Sequence, residues 1–435
     1  MEPLGELCGG CFREYEQPGA CPFCGFDTEA ERRRRGVALP LFTVLNGRYL
    51  MGRVLGAGGF GITYLAMDLH SGKTYAIKEY FPADIAVRCA DGSVAPTRSE
   101  KVYERYKDGF YEEARLLQEL QDSPYVVHVS AFFRCNNTAY LVMDYIDGPD
   151  LKKKADQQGG SMPYGQVCGV GLQLAKALRD VHEKGILHRD INPQNALIDG
   201  NGDVWLIDFG SSRMGFRDAG KSVSIRLTEG YAAPEQYYIG GKQGPWTDEY
   251  ALACTFYRLA TGVSLPSALD RQHKDEVLPL HRLLPEADRA VSDAIEKAMS
   301  LEPKKRYPSM TAFLRDFGPA AEEAARKAPV KQAFIEFMEG PAKGMLVELT
   351  EGQTLSLGRQ RAKADLVVSH APVVSRRHCE LVFDPASATV LLTDCSENGT
   401  FLSDGTRIRQ ETCAVTKDVT VRLASSDGVF RIKFS

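Results

Sequence analysis

The chain has 435 residues, 43% of them hydrophobic and 25% charged, so it is globular and longer than one ordinary core fills. A formal net charge of -4 argues against nucleic acid as the main partner, because phosphate-backbone binders carry a basic excess. No apolar run reaches the length of a membrane span: the best stretch, 250–266, is broken by Arg258 and reads as a buried helix.

From the start, Met1-Glu2-Pro3 lacks the basic and apolar regions of a secretory signal. The eleven cysteines are odd in number, with four near the start and seven scattered singly, which is no disulfide framework. A reducing cytoplasm is the expected compartment. Residues 1–30 hold Cys8-Gly-Gly-Cys11 and Cys21-Pro-Phe-Cys24. Two such knuckles supply four thiolates, the closed tetrahedral set of a structural Zn²⁺ site. A redox Cys-x-x-Cys is the rival reading, but it needs one pair beside a βαβ pattern. The segment resembles a zinc ribbon, and such a site is expected to stabilise only its own small fold. Residues 31–47 read as a linker, with Arg32–Arg35 a solvated basic run after Glu29 and Glu31.

Residues 48–318 carry the chemistry. Gly56-Ala-Gly58-Gly-Phe-Gly61 fits GxGxxG, but Ile62-Thr-Tyr-Leu-Ala continues as a strand, so the glycines close a β-hairpin over phosphates. Tyr75-Ala76-Ile-Lys78 ends a β-branched and aromatic run, and the segment from Phe110 through Glu113 reads as an amphipathic helix. Then come His188-Arg-Asp190-Ile-Asn192-Pro-Gln-Asn195, Asp208-Phe-Gly210 and Ala233-Pro-Glu235. In this order and spacing the region resembles the eukaryotic-like protein kinases, bacterial members included, which implies an α+β bilobal fold.

The resemblance implies that Lys78 holds the α- and β-phosphates of ATP, oriented by Glu113. It implies that Asn195 and Asp208 ligate Mg²⁺ or Mn²⁺, and that Asp190 takes the proton of the acceptor hydroxyl. Gly56, Gly58, Gly61, Ala76, Met143, Asp144, Ile146 and Leu197 would line the nucleotide site, with Met143 as gatekeeper. Glu235 with Arg306, and Asp248, match the family's structural anchors, and His188 reads as a packed core histidine. Thr228-Glu-Gly-Tyr231 resembles the loop in which a threonine hydroxyl bonds the catalytic aspartate, which implies serine and threonine as acceptors. Ser222 and Ser224 are the candidate autophosphorylation sites.

Two residues depart from the family pattern. Asn192 stands where lysine usually neutralises the γ-phosphate, and Thr63 where valine usually packs on adenine. An active, slower kinase is one reading, and a catalytically weak scaffold that presents interaction modules is its rival.

Residues 319–332 are rich in Ala, Glu and Lys and read as a linker or helical spacer. Residues 333–435 alternate in short runs between Gly, Asp, Asn and Ser turns, which predicts an all-β sandwich. Leu357-Gly-Arg359, Ser375-Arg376-Arg-His378 and Ser396-Glu-Asn398-Gly-Thr400 resemble forkhead-associated (FHA) domains. That family binds phosphothreonine, which implies Arg359, Ser375 and Arg376 on the phosphate and Asn398 on the ligand backbone, with His378 and Gly399 shaping loops. Within the chain, Thr28 and Thr97 are candidate ligands, each with an acid three residues on; a separate phosphorylated protein is the favoured one. The expected whole is a zinc ribbon, a protein serine/threonine kinase and an FHA module that recruits phosphothreonine-containing protein partners.

Overall fold

The computed structural model describes residues 6–15, 19–33, 36–59, 61–209, 227–238, 240–327, 333–339, 343–350, 353–384, 389–403, 405–424 and 428–434. Gly210, Ser222 and Ser224 lie outside them. The chain divides into two compact units, Met1–Asp199 with Val204–Glu323, and Gly200–Asp203 with Ala324–Ser435.

The first unit opens with a small hairpin, β1 (Glu6–Leu7) and β2 (Glu14–Tyr15), followed by α1 (Thr28–Arg33). Its core is Cys8, Tyr15 and Cys21, with Cys11 and Phe26 packed on them. Next come β3 (Val44–Leu45), β4 (Tyr49–Ala57), β5 (Gly61–Asp68) and β6 (Thr74–Tyr80). A second small hairpin, β7 (Ala86–Arg88) and β8 (Val94–Pro96), precedes α2 (Glu100–Leu117), β9 (Val129–Cys135) and β10 (Thr138–Asp144). Among the described residues one sheet runs in the order β3-β4-β5-β6-β10-β9. Tyr103, Lys107, Phe110, Ala114 and Leu117 recur at helical spacing, so α2 lays one buried face on β9 and β10.

Segment 36–47 is bound along this sheet. Phe42 donates its N–H to Met51 O at 2.7 Å, Met51 donates to Thr43 O at 2.9 Å, and Leu39 donates to the Tyr64 hydroxyl at 3.0 Å. Beneath it lies a buried ionic cluster. Glu79 on β6 is fully buried and takes both Arg88 Nη atoms, at 2.6 and 2.5 Å, with the Tyr64 and Tyr140 hydroxyls at 2.9 and 2.7 Å. Arg88 Nε donates to Val37 O at 2.8 Å, so one guanidinium ties the β7–β8 hairpin, the sheet and the N-terminal segment together.

The lower half is helical: α3 (Leu151–Gln157), α4 (Tyr164–Glu183), the hairpin β11 (Ala196–Ile198) and β12 (Val204–Leu206), and α5 (Pro245–Thr261). After these come α6 (Ala268–His273), α7 (Leu280–Leu283), α8 (Arg289–Ala298) and α9 (Met310–Lys327). Of the apolar run 250–266, the part through Thr261 is a buried helix, since α5 is covered on nearly every side, whereas residues 262–266 lie beyond it. It starts with proline at its first turn and ends at Gly262, whose φ of 73° suits a residue without Cβ. Helix α9 continues through Pro319 with Ala321 fully buried, so the first half of the expected spacer is packed helix.

The second unit is the expected sandwich. Its strands are β13 (Ala333–Phe337), β14 (Leu346–Leu349), β15 (Thr354–Gly358), β16 (Leu366–Val367), β17 (Cys379–Asp384) and β18 (Thr389–Asp394). They continue with β19 (Thr400–Leu402), β20 (Arg407–Ile408), β21 (Thr412–Val415), β22 (Val419–Leu423) and β23 (Val429–Phe434). Among the described residues, one sheet runs β14-β13-β23-β22-β19-β20 and the other β16-β15-β17-β18-β21. Ile335, Phe337, Leu357, Leu381, Leu392, Val421 and Phe430 fill the space between them.

One in-chain candidate ligand is corrected. Thr28 is fully buried, and its hydroxyl accepts the Gly9 N–H at 3.1 Å, so no phosphate-reading domain reaches it in this fold. Thr97 is exposed.

The ion pair read between Glu235 and Arg306 is formed, at 2.9 and 3.1 Å, with the Arg306 side chain 0% exposed. Arg306→Ala leaves the Glu235 carboxylate buried without its cation, and a loss of about 3–5 kcal/mol is expected by denaturant unfolding. A loss below about 1 kcal/mol would mean that water replaces the guanidinium.

Candidate active site

The site hangs from one carboxylate. Asp248, in the first turn of α5, is fully buried and accepts the backbone N–H groups of His188 at 2.9 Å and Arg189 at 2.6 Å. The His182 ring lies 2.8 Å from it. Burial alone would raise its pKa, but the His182 and His188 rings and the Arg189 N–H hold it below the ordinary value. Arg189 adopts φ of 67° and Gln236 Nε2 bonds its carbonyl at 2.8 Å, so the chain turns sharply just before Asp190. His188 is a packed core residue, with its ring against Phe209 and 2.9 Å from Ile207 O.

Asp190 is thereby presented with both oxygens engaged. Thr228 Oγ1 donates to Oδ1 at 2.7 Å, Asn192 Nδ2 to Oδ1 at 3.1 Å, and Asn195 Nδ2 to Oδ2 at 2.9 Å. With its amide nitrogen so used, Asn195 offers its amide oxygen as the atom that can ligate a cation. Asn192 caps the next turn by accepting the Gln194 N–H at 2.9 Å. Burial pushes the Asp190 carboxyl upward; Thr228, His188 and Asn192 hold it down, and the Asp208 charge pushes it up again.

Above the loop lies a cleft of about 640 Å³. Gly56, Gly58, Gly61, Ala76, Lys78, Met143, Asp144, Ile146 and Leu197 all line it, and so do Asp190, Asn195, Asp208 and Thr228. Every residue expected around the nucleotide is therefore in one cavity. A Cβ on Gly61 would sit 2.4 Å from Glu79 O, so glycine is required there, whereas positions 56 and 58 are open toward the cleft. Lys78 forms an ion pair with Asp208, which adopts φ of 64°. Glu113 is buried on α2, 5% exposed. Thr63 is also in the cleft wall, where its departure from valine was noted.

The four cysteine sulfurs lie within 4.8 Å of one another, with Cys8–Cys24 at 3.6 Å and Cys11–Cys21 at 3.7 Å. Zn–S bonds of about 2.3 Å imply a tetrahedron edge of about 3.8 Å, so the donors fit zinc. Burial and neighbouring thiols push Cys11 up to about 12, whereas at Cys21 burial is outweighed by the backbone N–H groups of Phe23 and Cys24 together with the Cys8 and Cys11 thiols, which bring it down to about 7.

In the second unit, Arg359 follows β15 and donates its N–H to Ser375 O at 3.1 Å, while its buried Nε has no partner among the described residues. A Cβ on Gly358 would meet Arg376 O at 2.2 Å, so glycine lets the two loops touch. The neutral His378 ring, held below its ordinary pKa by burial, accepts the Ser375 N–H at 3.0 Å and reaches Gly399 O at 3.2 Å. Ser375 Oγ accepts the Glu397 N–H at 3.3 Å, Asn398 Nδ2 donates to Val373 O at 2.7 Å, and Arg376 is exposed. The loops thus bring the four expected residues to one end of the sandwich.

Sequence reasoning missed Asp150 and Lys153 at the cleft mouth. Asp150 caps α3 by accepting the Lys153 N–H at 2.8 Å and pairs with its ammonium at 2.9 Å. The signal was available as Gly148-Pro-Asp150 before an amphipathic run, a helix-start pattern. Gly148 is forced, since a Cβ there would lie 2.0 Å from Ile198 O.

Fold and cleft together define a phosphotransfer architecture, and a model of the protein kinase domain matches residues 49–317, so the chain belongs to the protein kinase family. An FHA domain model matches 355–424. The chain is similar to Serine/threonine-protein kinase F of Synechocystis sp., 30% identical over 318 residues that cover 70% of this chain and 61% of the relative. It is also similar to Serine/threonine-protein kinase pkn2 of Myxococcus xanthus, 32% identical over 296 residues that cover 65% of this chain and 33% of the relative. The chain therefore spans between a third and three-fifths of these relatives. A solved structure titled "PpkA-294 apo form" aligns with TM-score 0.57 and 31% identity over 65% of this chain and 100% of that one.

If Asp190 is the base that the family resemblance implies, it acts ionised, and activity falls as pH drops through its pKa. The acid limb of kcat/KM is expected above the 3.8 of an ordinary aspartate. Asn192→Ala removes a bond that favours the carboxylate and should move that limb to higher pH. An unmoved limb would show that this bond is not made in the working enzyme.

Proposed function

We propose that this protein is a serine/threonine kinase that transfers the γ-phosphate of ATP to hydroxyls of protein substrates. The observation that carries the reading is the Asp190 carboxylate, held by Thr228, Asn192 and Asn195 in the same cleft as Lys78 and Asp208. Asp190 accepts the proton as the acceptor oxygen bonds to the γ-phosphorus and the bond to the β–γ bridging oxygen breaks. Lys78 steadies the α- and β-phosphates, with Glu113 as its orienting partner on α2. Asp208 and the Asn195 amide oxygen are hard donors that would hold Mg²⁺ or Mn²⁺, which neutralises phosphate charge when bound. Thr228 against the aspartate favours serine and threonine over tyrosine. Lys78, Asp190, Asn195 and Asp208 all line the cleft although Asn192 replaces the usual lysine, which speaks for catalysis.

Cys8, Cys11, Cys21 and Cys24 would hold one structural Zn²⁺. The FHA module recruits phosphothreonine-containing proteins through Arg359, Ser375, Arg376 and Asn398, which raises local substrate concentration. The seven cysteines outside the knuckle stand outside any disulfide, which supports a reducing cytoplasm as the working compartment. Among the described residues no helix is long and apolar enough to cross a membrane.

Incubation with Mg·ATP and a generic protein substrate should yield phosphoserine or phosphothreonine. Asp190→Asn should abolish transfer and leave nucleotide affinity within about twofold, because the base touches the acceptor and not ATP. Absence of phosphoprotein with the unaltered chain would leave the scaffold as the correct reading. Native mass spectrometry should find about one zinc per chain; iron, or no metal at all, would overturn that assignment. Arg359→Ala should weaken a phosphothreonine peptide roughly tenfold or more, as expected for loss of a charge-assisted fork. An unchanged peptide affinity would move the phosphate site elsewhere on the sandwich.

A further inference from the structure

The four-cysteine knuckle touches the strand that roofs the nucleotide cleft. Strand β4 pairs regularly with β5 up to Met51, its register shifts between Met51 and Val54, and it shifts again before Gly56. Within the first shift, Arg53 turns its backbone N–H away from the sheet and donates it to Gly9 O, between Cys8 and Cys11, at 2.8 Å. Residues from Arg53 through Gly59 then line the cleft. The bulge at the root of the glycine-rich loop is thus completed by the knuckle.

The contact is close on both sides. A Cβ on Gly52 would lie 2.6 Å from Gly9 O and 2.7 Å from the tip of the Phe12 ring. Phe12 itself adopts φ of 57°, an uncommon conformation for an aromatic residue, and this turns its ring to Gly52. The knuckle in turn has little freedom. Gly10 donates its N–H to Cys8 Sγ at 3.2 Å, Gly9 donates to the buried Thr28 hydroxyl, and a Cβ on Gly10 would strike Phe26 at 2.5 Å. The position of Gly9 O is therefore set by the fold around the four sulfurs.

We propose that the knuckle is a positioning element of the nucleotide site: Gly9 O, fixed when the four cysteines hold their metal, closes the β4 bulge and sets the glycine-rich loop over the phosphates. Metal occupancy then tunes ATP affinity, and by linkage bound nucleotide tightens the metal. This rests on the reading of the cleft as a nucleotide site, and it departs from the expectation that such a metal stabilises only its own small fold.

The test uses the full chain, with zinc content measured before and after chelation. Binding of a fluorescent ATP analogue is read alongside KM for ATP and kcat. Metal removal should raise both the Kd and the KM roughly five- to tenfold while kcat stays within about twofold. Gly52→Ala, with its zinc retained, should reproduce the change, because the new Cβ displaces Gly9 O without touching a cysteine. Phe12→Ala should weaken nucleotide in the same direction and serves where Gly52→Ala does not fold. Saturating nucleotide should slow zinc transfer to a chromogenic chelator. Unchanged nucleotide Kd in the metal-free chain, or in both zinc-loaded variants, overturns the proposal, and so does a fall in kcat with KM unaltered. No nucleotide binding by the zinc-loaded chain would overturn the kinase reading and this proposal together.

Discussion

The organisation of the site depends on a single buried charge. Asp248 is inaccessible to water, and its ionised form is tolerable only because two backbone N–H groups and a histidine ring point at it. Those two amides belong to the residues just before Asp190, so satisfying Asp248 also fixes where the loop can go. Arg189 is forced through a left-handed turn, and the Asp190 carboxylate emerges facing Thr228, Asn192 and Asn195. The rigidity of α5, buried on nearly every side, is what makes that anchor firm.

The loop also accounts for the residue that departs most from the kinase pattern. Asn192 is 5% exposed and has its amide fully committed, with the nitrogen on Asp190 and the oxygen on the Gln194 N–H. A lysine would supply a cation but no acceptor for that N–H. The asparagine therefore trades a cation for stiffness of the Asp190 carboxylate, and in the proposed kinase the demand for positive charge would fall on Lys78 and bound metal.

What the sequence made legible was local. The glycine-rich hairpin, the His188–Asn195 loop, the Asp208 turn and the sandwich of alternating strands were each readable because the chemistry lies in a few consecutive residues. The convergence of those segments followed from resemblance to a family rather than from any single motif. What stayed hidden was long-range and polar. Nothing near Glu79 announces that Arg88, Tyr64 and Tyr140 will meet it, and nothing in the run of Arg32–Arg35 says that the following residues will lie along β4. Thr28 read as an accessible hydroxyl because a threonine before acidic residues looks exposed; its burial comes from the knuckle folding over it. The Gly52 contact was equally invisible, since a glycine inside a strand pattern signals a close neighbour without naming it.

The Glu79 cluster constrains how this chain can vary over time. Glu79 adjoins Lys78 in sequence and is sealed from water, while its cation arrives on a hairpin that forms a separate two-stranded sheet. A lineage that shed the hairpin alone would strand a carboxylate in the interior beside Lys78, and one that changed Glu79 alone would strand a guanidinium. Acid, hairpin and the two tyrosines therefore form one energetic unit, in which loss of either charged member leaves the other buried and unpaired.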